Sequence, residues 1–500
     1  MRWFPPTWRV TPKRSGATLP DDTNRRRRIA IAGASGFVGR ALRRTLSDRY
    51  DVVALTRRPS SDASGSTDSD GVEWRQCDLF DPESIAAAIE GVDVVIYLVH
   101  SMSPQSRLTQ ARFDELDLVL ADNMRRAMDA VGTAHIVFLG GLGAHQDDSV
   151  LSRHLVSRQE VGAVLGSGKA AITELRAGLV IGSGGSSFRM LIRLIRRLPV
   201  MVLPRWTSTP TQPVSIDDVV RAFEVVLGDP AAWRGEFDLG IEEEMTYGRM
   251  IHRAAAALGR NPVTVPVPIS SPRVSTLWIM LFSGEPASLV VPLIASLKTP
   301  TIARDNRLLA HLDRSSLAGF DESVGACLAE AGDADDPRRA TRNRDRKVIH
   351  QRSLVRSIQR MDMPDDLSPA SAMRVYWDWL GKVFRPFLRI RTDVSKTGEA
   401  DRVTVHLFGL LLMLELNRLP EACDDELETM HITRGLLVRR VSPPGSRLEF
   451  RWIKERGVLL TALQDYAPSL PWPIYMCSQA WLHLMVMAGF RRWLRRRARD

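Results

Sequence analysis

Three glycines spaced three residues apart, Gly33, Gly36 and Gly39, have the residue type and spacing that most directly imply binding chemistry. The apolar run Ile29–Ala32 precedes them and a helical pattern follows, which gives the order strand, glycine turn, helix. Gly33 allows a tight turn, Gly36 removes a Cβ where a pyrophosphate must approach, and Gly39 lets the helix pack on the strand. Free N–H groups of the first helical turn attract an anion. The pattern predicts nucleotide binding, with a ligand-free βα turn as the alternative. The predicted cofactor contacts here are Gly33, Ser35, Gly36, Phe37, Val38 and Gly39.

The end of the predicted second strand indicates which dinucleotide this turn would accept. That segment ends in Arg57 and Arg58, where an NAD-preferring site carries an acid that holds the ribose 2′-hydroxyl. Two guanidinium groups suit a 2′-phosphate instead, because they donate paired, charge-assisted hydrogen bonds. The sequence therefore favours NADP(H). NAD(H), or a pair of solvated arginines without a ligand, are the alternatives.

Strand-like and helical stretches alternate from residue 28 to about 180, and these elements must position the glycine turn. The predicted strands are Ile29–Ala32, Val52–Leu55, Val72–Gln76, Val94–Val99, His135–Leu139 and Ile172–Leu175, with helices near 36–48, 82–90, 107–131 and 150–166. This alternation predicts an α/β fold, a doubly wound parallel sheet with helices on both faces. Ligands of such sheets bind at the carboxyl ends of the strands. Val99, His100 and Ser101 should therefore lie near the nicotinamide half of a cofactor.

The GxxGxxG spacing of the turn resembles that of extended and atypical short-chain dehydrogenases. Leu175–Gly178 resembles the exit of that family's sixth strand, and Pro213–Val220 resembles a later segment that re-enters the sheet region. The resemblance covers about 28–325 and is closest to the NmrA-like and complex-I-accessory-subunit-like branch, whose members bind NAD(P) in a Rossmann-type domain. It implies that Asp78 and Leu79 bracket the adenine. The alternative is that Asp78 caps the helix that starts near Pro82.

The catalytic groups of that superfamily are missing from their expected places. Its members use a Tyr whose pKa is lowered by a Lys four residues later, together with a Ser at the end of the fifth strand. Here the fifth strand ends in Gly140-Gly141, and the Tyr-xxx-Lys position holds His154 and Arg158. Arg158 could hold ribose hydroxyls, and His154 could shuttle a proton because its ordinary pKa lies near neutrality. The predicted catalytic residues are His154, His100 and Ser101, with Tyr97 as a further polar candidate; the alternative is that catalysis is lost.

Composition and charge limit the classes of function. Of the formal net charge of +10, residues 1–28 carry +6 and residues 491–500 carry +5, which leaves −1 for the residues between them. A near-neutral body argues against a broad nucleic-acid surface. Four cysteines lie far apart without metal-ligand spacing, which predicts a reducing, cytoplasmic compartment and no metal site. The apolar stretches 277–282 and 287–297 are too short to span a membrane, which predicts buried helices or a monotopic membrane patch.

A charge-dense stretch at 331–352 predicts a linker, and the pattern of the sequence changes after it. Residues 353–361 read as a strand, 370–387 as a helix and 477–494 as a long apolar helix. Strand-like runs lie between the helices at 388–394, 402–409, 411–418, 427–439, 447–454 and 458–466. This order predicts an α+β helix-grip fold and resembles START and polyketide-cyclase domains. An apolar pocket and a filled core are equally compatible with it. The last helix is apolar all round, which predicts burial, and its terminal arginines could contact anionic headgroups.

The sequence therefore predicts a disordered arm over 1–27, an NAD(P)-binding Rossmann domain with a small substrate subdomain over 28–330, a linker over 331–352 and a helix-grip-like domain over 353–500. The predicted function is an NADP(H)-preferring oxidoreductase that acts on a small apolar, quinone- or isoprenoid-like substrate. The alternative is a non-catalytic, nucleotide-binding redox sensor or complex-assembly factor. Expected partners are a lipid-like small molecule and, through the basic C-terminus, a membrane surface, but no nucleic acid.

Overall fold

A computed structural model describes residues 25–57, 71–101, 109–143, 151–268, 272–305, 307–312, 317–330, 354–394, 400–439 and 445–497. Packing divides the described residues into two compact units. The parallel-sheet unit falls within Thr11–Pro104 and Asp117–Asp335, and the antiparallel-sheet unit falls within Gln105–Leu116 and Asp336–Asp500. Most of the predicted arm and all of the predicted linker lie outside the described residues. The predicted domain limits stay a prediction.

The strands and helices are numbered in chain order. The strands are β1 Arg28–Ala32, β2 Asp51–Thr56, β3 Glu73–Gln76, β4 Val94–Tyr97, β5 Thr109–Gln110, β6 His135–Gly141, β7 Ala171–Ala177, β8 Val180–Ile181, β9 Val200–Leu203, β10 Pro210–Thr211, β11 Val214–Ser215, β12 Gly235–Leu239, β13 Met245–Thr246, β14 Val263–Pro266, β15 Val355–Asp362, β16 Leu388–Val394, β17 Ala400–Leu407, β18 Leu411–Arg418, β19 Leu427–Arg434, β20 Arg447–Ile453 and β21 Val458–Tyr466. The helices are α1 Phe37–Leu46, α2 Pro82–Ala88, α3 Phe113–Val131, α4 Arg153–Gly166, α5 Ser186–Arg197, α6 Ile216–Gly228, α7 Tyr247–Ala257, α8 Pro272–Ser283, α9 Ala287–Ser296, α10 Arg307–His311, α11 Phe320–Glu330, α12 Pro369–Val383, α13 Trp472–Cys477 and α14 Gln479–Arg497.

A seven-stranded parallel sheet forms the centre of the parallel-sheet unit, in the order β3-β2-β1-β4-β6-β7-β12. Consecutive residues such as Ile31 and Ala32 are both fully buried, because helices and loops cover both faces. This is a Rossmann-like sheet, as the alternating pattern predicts. The sequence analysis missed β12, whose short segment Gly235–Leu239 contains two acids and lacks a continuous apolar run.

The strand order places a cleft at one defined point of this sheet. From β1 the chain builds β2 and β3 on one side, and it then returns to place β4 on the other side of β1. Connections leave the carboxyl ends of β1 and β4 in opposite directions, and this is where open α/β sheets bind ligands. The glycine turn follows β1, and Val99, His100 and Ser101 follow β4. The topology therefore brings the two predicted parts of the site to one edge.

Helices hold that edge in place. Leu42 of α1 and Phe223 of α6 belong to one core with the strands, while α4 packs on β6 and β7. Helix α4 begins at Ser152, whose hydroxyl accepts a hydrogen bond from the Leu155 amide at 3.3 Å. This N-cap fixes the start of the helix that carries His154 and Arg158.

A mainly helical core completes the parallel-sheet unit. Helices α5, α7, α8, α9 and α11 bury a set that includes Phe188, Ile251, Ile294 and Phe320. Helices α8 and α9 cover the two apolar stretches that the sequence analysis singled out. Within the described residues, no helix combines the length and apolar character needed to cross a membrane.

The antiparallel-sheet unit is built on an eight-stranded sheet in the order β16-β17-β18-β19-β20-β21-β15-β5. All of its pairs are antiparallel except that of β15 with β5, in which Arg356 pairs with Thr109. Residues 107–131 were predicted as one helix, but Thr109 and Gln110 are a strand and α3 begins at Phe113. Pairing with a partner about 250 positions away overrides the local helical pattern.

Helices α12 and α14 pack with this sheet in one core. Trp377 and Trp379 of α12 and Phe490 of α14 are buried there with Phe450 of β20. The prediction that α14 is buried all round is wrong, because Trp481 on its other side is 63% exposed. The helix-grip assignment of this unit stays a prediction.

Candidate functional site

The glycine turn has the geometry that a pyrophosphate site needs. Gly33 has a φ of +95°, in the left-handed region that favours glycine. A Cβ on Gly39 would lie 2.4 Å from the Gly33 carbonyl oxygen, so only glycine lets α1 start this close to β1. Gly36 is exposed and is the N-cap of α1 without a side-chain hydrogen bond. The first-turn amides and the exposed backbone of Gly36 fit an anionic group.

Phe37 packs against a second glycine-rich turn. Added Cβ atoms at Gly182 and Gly184 would lie 2.5 and 2.7 Å from the Phe37 ring. Val38 also packs against the core of the sheet, whereas Ser35 is exposed. In this structure the side chains of Phe37 and Val38 therefore anchor the turn, and Ser35 is free to face a ligand.

The predicted adenine residues follow β3. Asp78 accepts a hydrogen bond from the Phe80 amide at 3.1 Å and does not cap α2. Asp81 is the N-cap of α2, so the alternative interpretation of Asp78 as the helix cap is wrong. The Leu79 carbonyl accepts a hydrogen bond from the Asn123 side chain at 3.0 Å.

The predicted ribose residues follow β2. Arg57 comes directly after the strand and its side chain is exposed. Arg58 lies outside the described residues. Because β2 pairs with β1 in parallel, Arg57 lies at the same edge as the glycine turn. Its position fits a phosphate on the adenosine ribose.

Two histidines and an aspartate form a hydrogen-bonded chain at this edge. His100 Nδ1 lies 2.7 Å from Asp117 Oδ2, and His100 Nε2 lies 3.0 Å from His154 Nδ1. The imidazole rings are 4.8 Å apart between centroids and within 17° of parallel. Asp117 Oδ1 accepts the Ser101 amide at 2.8 Å, and Asp117 Oδ2 also accepts the Ser157 hydroxyl at 3.3 Å. His100, His154 and Ser101, which the sequence predicts as site residues, therefore lie together. The cluster also contains Asp117, which was not predicted.

The chain of acceptors sets the positions of the protons. The Asp117 carboxylate can only accept, so His100 donates its Nδ1–H and, when neutral, accepts at Nε2. His154 then donates its Nδ1–H to His100, which leaves the lone pair of its Nε2 outward from the chain. If the cluster gains one proton, the hydrogen bond between His100 Nε2 and His154 Nδ1 reverses its direction. His100 then donates from both nitrogens, and His154 carries its hydrogen on Nε2.

The surroundings decide which ring holds the added proton. Burial, reinforced by His100 and Arg158, lowers the pKa of His154 well below its ordinary value. Burial acts to raise the pKa of Asp117, but His100 beside it outweighs burial and holds that pKa below its usual range. The aspartate is therefore ionised, and an added proton is held on the ring that contacts it.

Arg158 ties the two neighbouring strand ends together. Its Nη1 donates to the Val99 carbonyl at 3.0 Å and its Nη2 donates to the Leu139 carbonyl at 2.7 Å. The guanidinium also lies over the Phe138 ring, 4.5 Å from the centroid. Its predicted contact with ribose hydroxyls stays a prediction.

Sequence reasoning missed Asp117 and Glu174 and placed Tyr97 wrongly. Asp117 is a charged residue between Leu116 and Leu118 on a buried stretch of α3, and that interruption was the available signal. Glu174 is buried on β7 and burial raises its pKa to about 7. Tyr97 is 1% exposed, so its hydroxyl cannot meet a substrate as a catalytic group would. Across the described ranges, no His, Cys, Asp and Glu side chains are grouped to hold a metal ion.

A family model described as NAD(P)H-binding matches residues 33–179. The matched stretch runs from the glycine turn to the segment after β7 and includes His100, Asp117, His154 and Arg158. Residues 33–179 thus form an NAD(P)H-binding domain, as the glycine spacing predicts. Both NAD(H) and NADP(H) fall within that description.

Similarity to known proteins is confined to parts of the chain. The auxiliary protein GraX of Staphylococcus aureus is 24% identical over 126 residues, which are 25% of this chain and 39% of GraX. The NmrA-like family domain-containing oxidoreductase hkm9 of Aspergillus hancockii is 34% identical over 117 residues, 23% of this chain and 34% of hkm9. The chain thus spans well under half the length of each relative. The NADPH-dependent quinone oxidoreductase QOR2 of Escherichia coli, solved with NADPH, superposes with a TM-score of 0.47 at 18% identity, over 60% of this chain and 99% of QOR2.

Proposed function

We propose that this chain is an NADP(H)-preferring oxidoreductase that reduces a small apolar, quinone- or isoprenoid-like carbonyl compound. The observation that carries the proposal is the hydrogen-bonded chain Asp117–His100–His154 at the edge where the glycine turn ends. Reduction of a carbonyl needs one hydride and one proton, and this chain of side chains is suited to deliver one proton. The name of hkm9, an oxidoreductase, supports the same class of reaction.

The cofactor would bind along the edge formed by β3, β2, β1 and β4. Its pyrophosphate would contact the turn Gly33–Gly39, its 2′-phosphate Arg57 and Arg58, and its adenine the segment Asp78–Leu79. The bound dinucleotide would supply the hydride. Val99, His100 and Ser101 follow β4 and would line the nicotinamide half.

The proton would leave from His154. With one added proton, His100 donates to Asp117 and to His154 Nδ1, and His154 presents its Nε2–H to the substrate oxygen. As the carbonyl carbon gains hydride, the oxygen takes the His154 Nε2 proton, and His154 Nδ1 takes the proton of His100 Nε2. The chain ends in its neutral form and regains a proton from solvent. Asp117 offsets the positive charge while the proton is stored.

Asp117→Asn tests the direction of the hydrogen bonds on which this relay depends. The Asn oxygen would stay on the Ser101 amide, so its NH2 would face His100 Nδ1 and force that atom to accept. Both His100 and His154 would then carry their hydrogen on Nε2. In the neutral parent both carry it on Nδ1. Nitrogen-15 NMR of histidine-labelled full-length protein measures this reversal without any substrate. Unchanged tautomers would contradict the relay.

Activity tests the function itself. We expect His154→Gln to lower NADPH-dependent turnover of quinones and carbonyls by roughly 10²-fold with little change in NADPH affinity, because proton transfer of this kind contributes about that factor. His252→Gln, at an exposed histidine, is the matched control. The measurement is NADPH oxidation against a substrate panel beside a binding titration. Equal turnover by the parent and the His154 variant would show that His154 transfers no proton.

A nucleotide-binding sensor or assembly factor is the second candidate. It is favoured by the glycine pair Gly140-Gly141 and His154 at the places where the superfamily has Ser and Tyr, and by the name of GraX, an auxiliary protein. Tight NADPH binding with no turnover on any member of the panel would support it. In that case the cofactor is a ligand and not a reagent.

The antiparallel-sheet unit is proposed to be a helix-grip domain that holds a lipid-like ligand. Support comes from its antiparallel strands, which share one core with α12 and α14. Membrane contact through the C-terminal arginines has less support, because Arg495 pairs with Asp362 and Arg497 with Asp366, each at 2.7 Å. Uptake of an environment-sensitive apolar dye by the full chain, competed by isoprenoid quinones, tests the ligand pocket.

A further inference from the structure

Three connections of the antiparallel-sheet unit meet at one end of its sheet. One leads from α12 into β16, one joins β17 to β18, and one follows β19. The Phe408 amide donates to the Phe387 carbonyl at 2.7 Å, and the Leu436 amide donates to the Leu412 carbonyl at 3.0 Å. These bonds hold the three connections side by side. We call this set of residues, 382–391, 408–412 and 435–437, the apolar tip.

Large apolar side chains of the apolar tip point into solvent. Leu410 is 86% exposed, Phe408 is 61% exposed and Phe387 is 55% exposed. The two phenylalanine rings contact each other edge to face with centroids 5.8 Å apart. Val383, Leu411 and Leu436 are exposed in the same area. A grouped apolar patch of this size is unusual on a protein surface and indicates a binding surface.

The charge around the patch has a single sign. Lys382, Arg385, Arg389 and Arg391 are exposed, and the apolar tip contains no Asp or Glu. Among the described residues none of these four cations forms an ion pair, in contrast to Arg495 and Arg497 at the end of α14. The apolar side chains thus protrude between cations that remain available to a partner.

We propose that the apolar tip docks on the surface of an anionic lipid bilayer. Phe387, Phe408 and Leu410 would enter the boundary between headgroups and acyl chains, and the surrounding cations would contact lipid phosphates and carboxylates. Long basic side chains can extend their charged ends toward the headgroups while their stems stay in apolar surroundings. The side chains stand on the connections between elements at one end of the sheet. This proposal is independent of the proposed enzymatic function.

Vesicle binding by the full chain tests the proposal. We expect the parent to float with phosphatidylcholine vesicles that contain phosphatidylserine, to bind pure phosphatidylcholine vesicles much more weakly, and to lose affinity as salt rises. Phe408→Asn with Leu410→Glu should weaken binding by roughly tenfold or more, since it removes two inserting apolar side chains and adds a negative charge. Asn tolerates the φ of +53° at Phe408, so folding is retained. Arg385→Gln with Arg389→Gln should weaken binding to the anionic vesicles and reduce its salt dependence.

Controls separate this surface from other sources of binding. Val263→Glu changes a valine that is 63% exposed on β14 of the parallel-sheet unit and should bind vesicles like the parent. Hydrogen exchange of the amides in β17–β19, measured on each tip variant, should not change and shows that the antiparallel-sheet unit is folded. Equal vesicle binding by the parent and the Phe408/Leu410 variant would overturn the proposal and point to the basic residues 1–28. No binding by the parent would also overturn it, and loss of self-association in the variant would then identify a contact between two copies of the chain.

Discussion

Two buried carboxylates, one in each unit, are held by cationic side chains in contrasting ways. Asp117 accepts from His100 at the carboxyl edge of the parallel sheet, and the His100 side chain remains 21% exposed. Glu449 lies in the middle of β20, where it accepts from Arg447 at 2.6 Å and from Arg451 at 3.0 Å. Arg451 is fully buried.

The difference shows that position in a sheet decides what a charged cluster can do. Burial acts to raise the pKa of Glu449, yet Arg447 and Arg451 outweigh it and lower that pKa to about 2. Fixed arginines on a covered sheet face can neither exchange a proton nor meet a ligand, so their role is structural. The histidine cluster has imidazole groups, which can donate or accept a proton, and the His100 side chain is 21% exposed. We therefore expect substitutions in the Glu449 cluster to change stability and substitutions in the Asp117 cluster to change chemistry.

The largest expected effect is on stability. Glu449→Gln should lower the free energy of unfolding of the antiparallel-sheet unit by about 3–5 kcal/mol, because it leaves two buried guanidinium groups without their carboxylate. Hydrogen exchange of the amides in β19–β21 measures the effect. Glu455→Gln, at an exposed position, is the matched control. If Glu449→Gln left exchange unchanged, the division into structural and chemical clusters would fail.

A pH-dependent effect is expected from Glu174, which borders both Arg158 and Arg176. Burial raises its pKa from 4.5 to about 7, so the folded protein binds a proton there more tightly than the unfolded chain. Stability contributed by this group is complete below pH 4.5 and is lost as pH rises to about 7, a total of about 3 kcal/mol. Glu174→Gln should remove that slope and stabilise the protein at pH 8. Glu90→Gln, exposed, should keep the parental profile of melting temperature against pH.

Cofactor affinity tests the proposed pyrophosphate site at the glycine turn of the parallel-sheet unit. Gly36→Val should weaken NADPH by roughly 100-fold or more, about 2.7 kcal/mol. The added methyl groups obstruct the first turn of α1, and the new Cβ would lie only 3.0 Å from the Gly33 carbonyl oxygen. Gly228→Val, where an added Cβ meets nothing within 4 Å, is the control. Calorimetric titration with NADPH gives both values. Parental affinity in Gly36→Val would place the pyrophosphate elsewhere.

The smallest expected effect is on the preference for NADPH over NADH. Arg57→Ala should weaken NADPH relative to NADH by about 1.5–3 kcal/mol, because one charge-assisted hydrogen bond to the 2′-phosphate is lost, less any screening by solvent. Adding Arg58→Ala should enlarge the difference. Arg49→Ala, an exposed arginine beyond the site, should weaken neither. Equal losses for the two dinucleotides would mean that these arginines do not recognise the phosphate.

Local pattern was enough to predict most elements before about residue 180 and most elements of the antiparallel-sheet unit. The strands of the antiparallel sheet from β15 to β21 lie close to the predicted runs, because alternating apolar residues reflect a sheet with one face on a core. The glycine turn was equally predictable, since the three residues that its backbone requires, Gly33, Gly36 and Gly39, are close together in the sequence. Short strands such as β5 and β12 were not predictable from local pattern, because they form only by pairing with partners that are distant in sequence.

The sequence by itself therefore determined the NAD(P)H-binding turn, the order of elements and the presence of His100 and His154 after the right strands. Only the tertiary structure decided that the two imidazoles share a hydrogen bond, that Asp117 supports them, and that Arg158 binds backbone carbonyls. It also decided that the apolar side chains of the tip are exposed and not buried. Periodicity and spacing report interactions within a few residues. The chemistry of a side chain depends on neighbours that lie 17 and 54 positions away, and only folding brings those together.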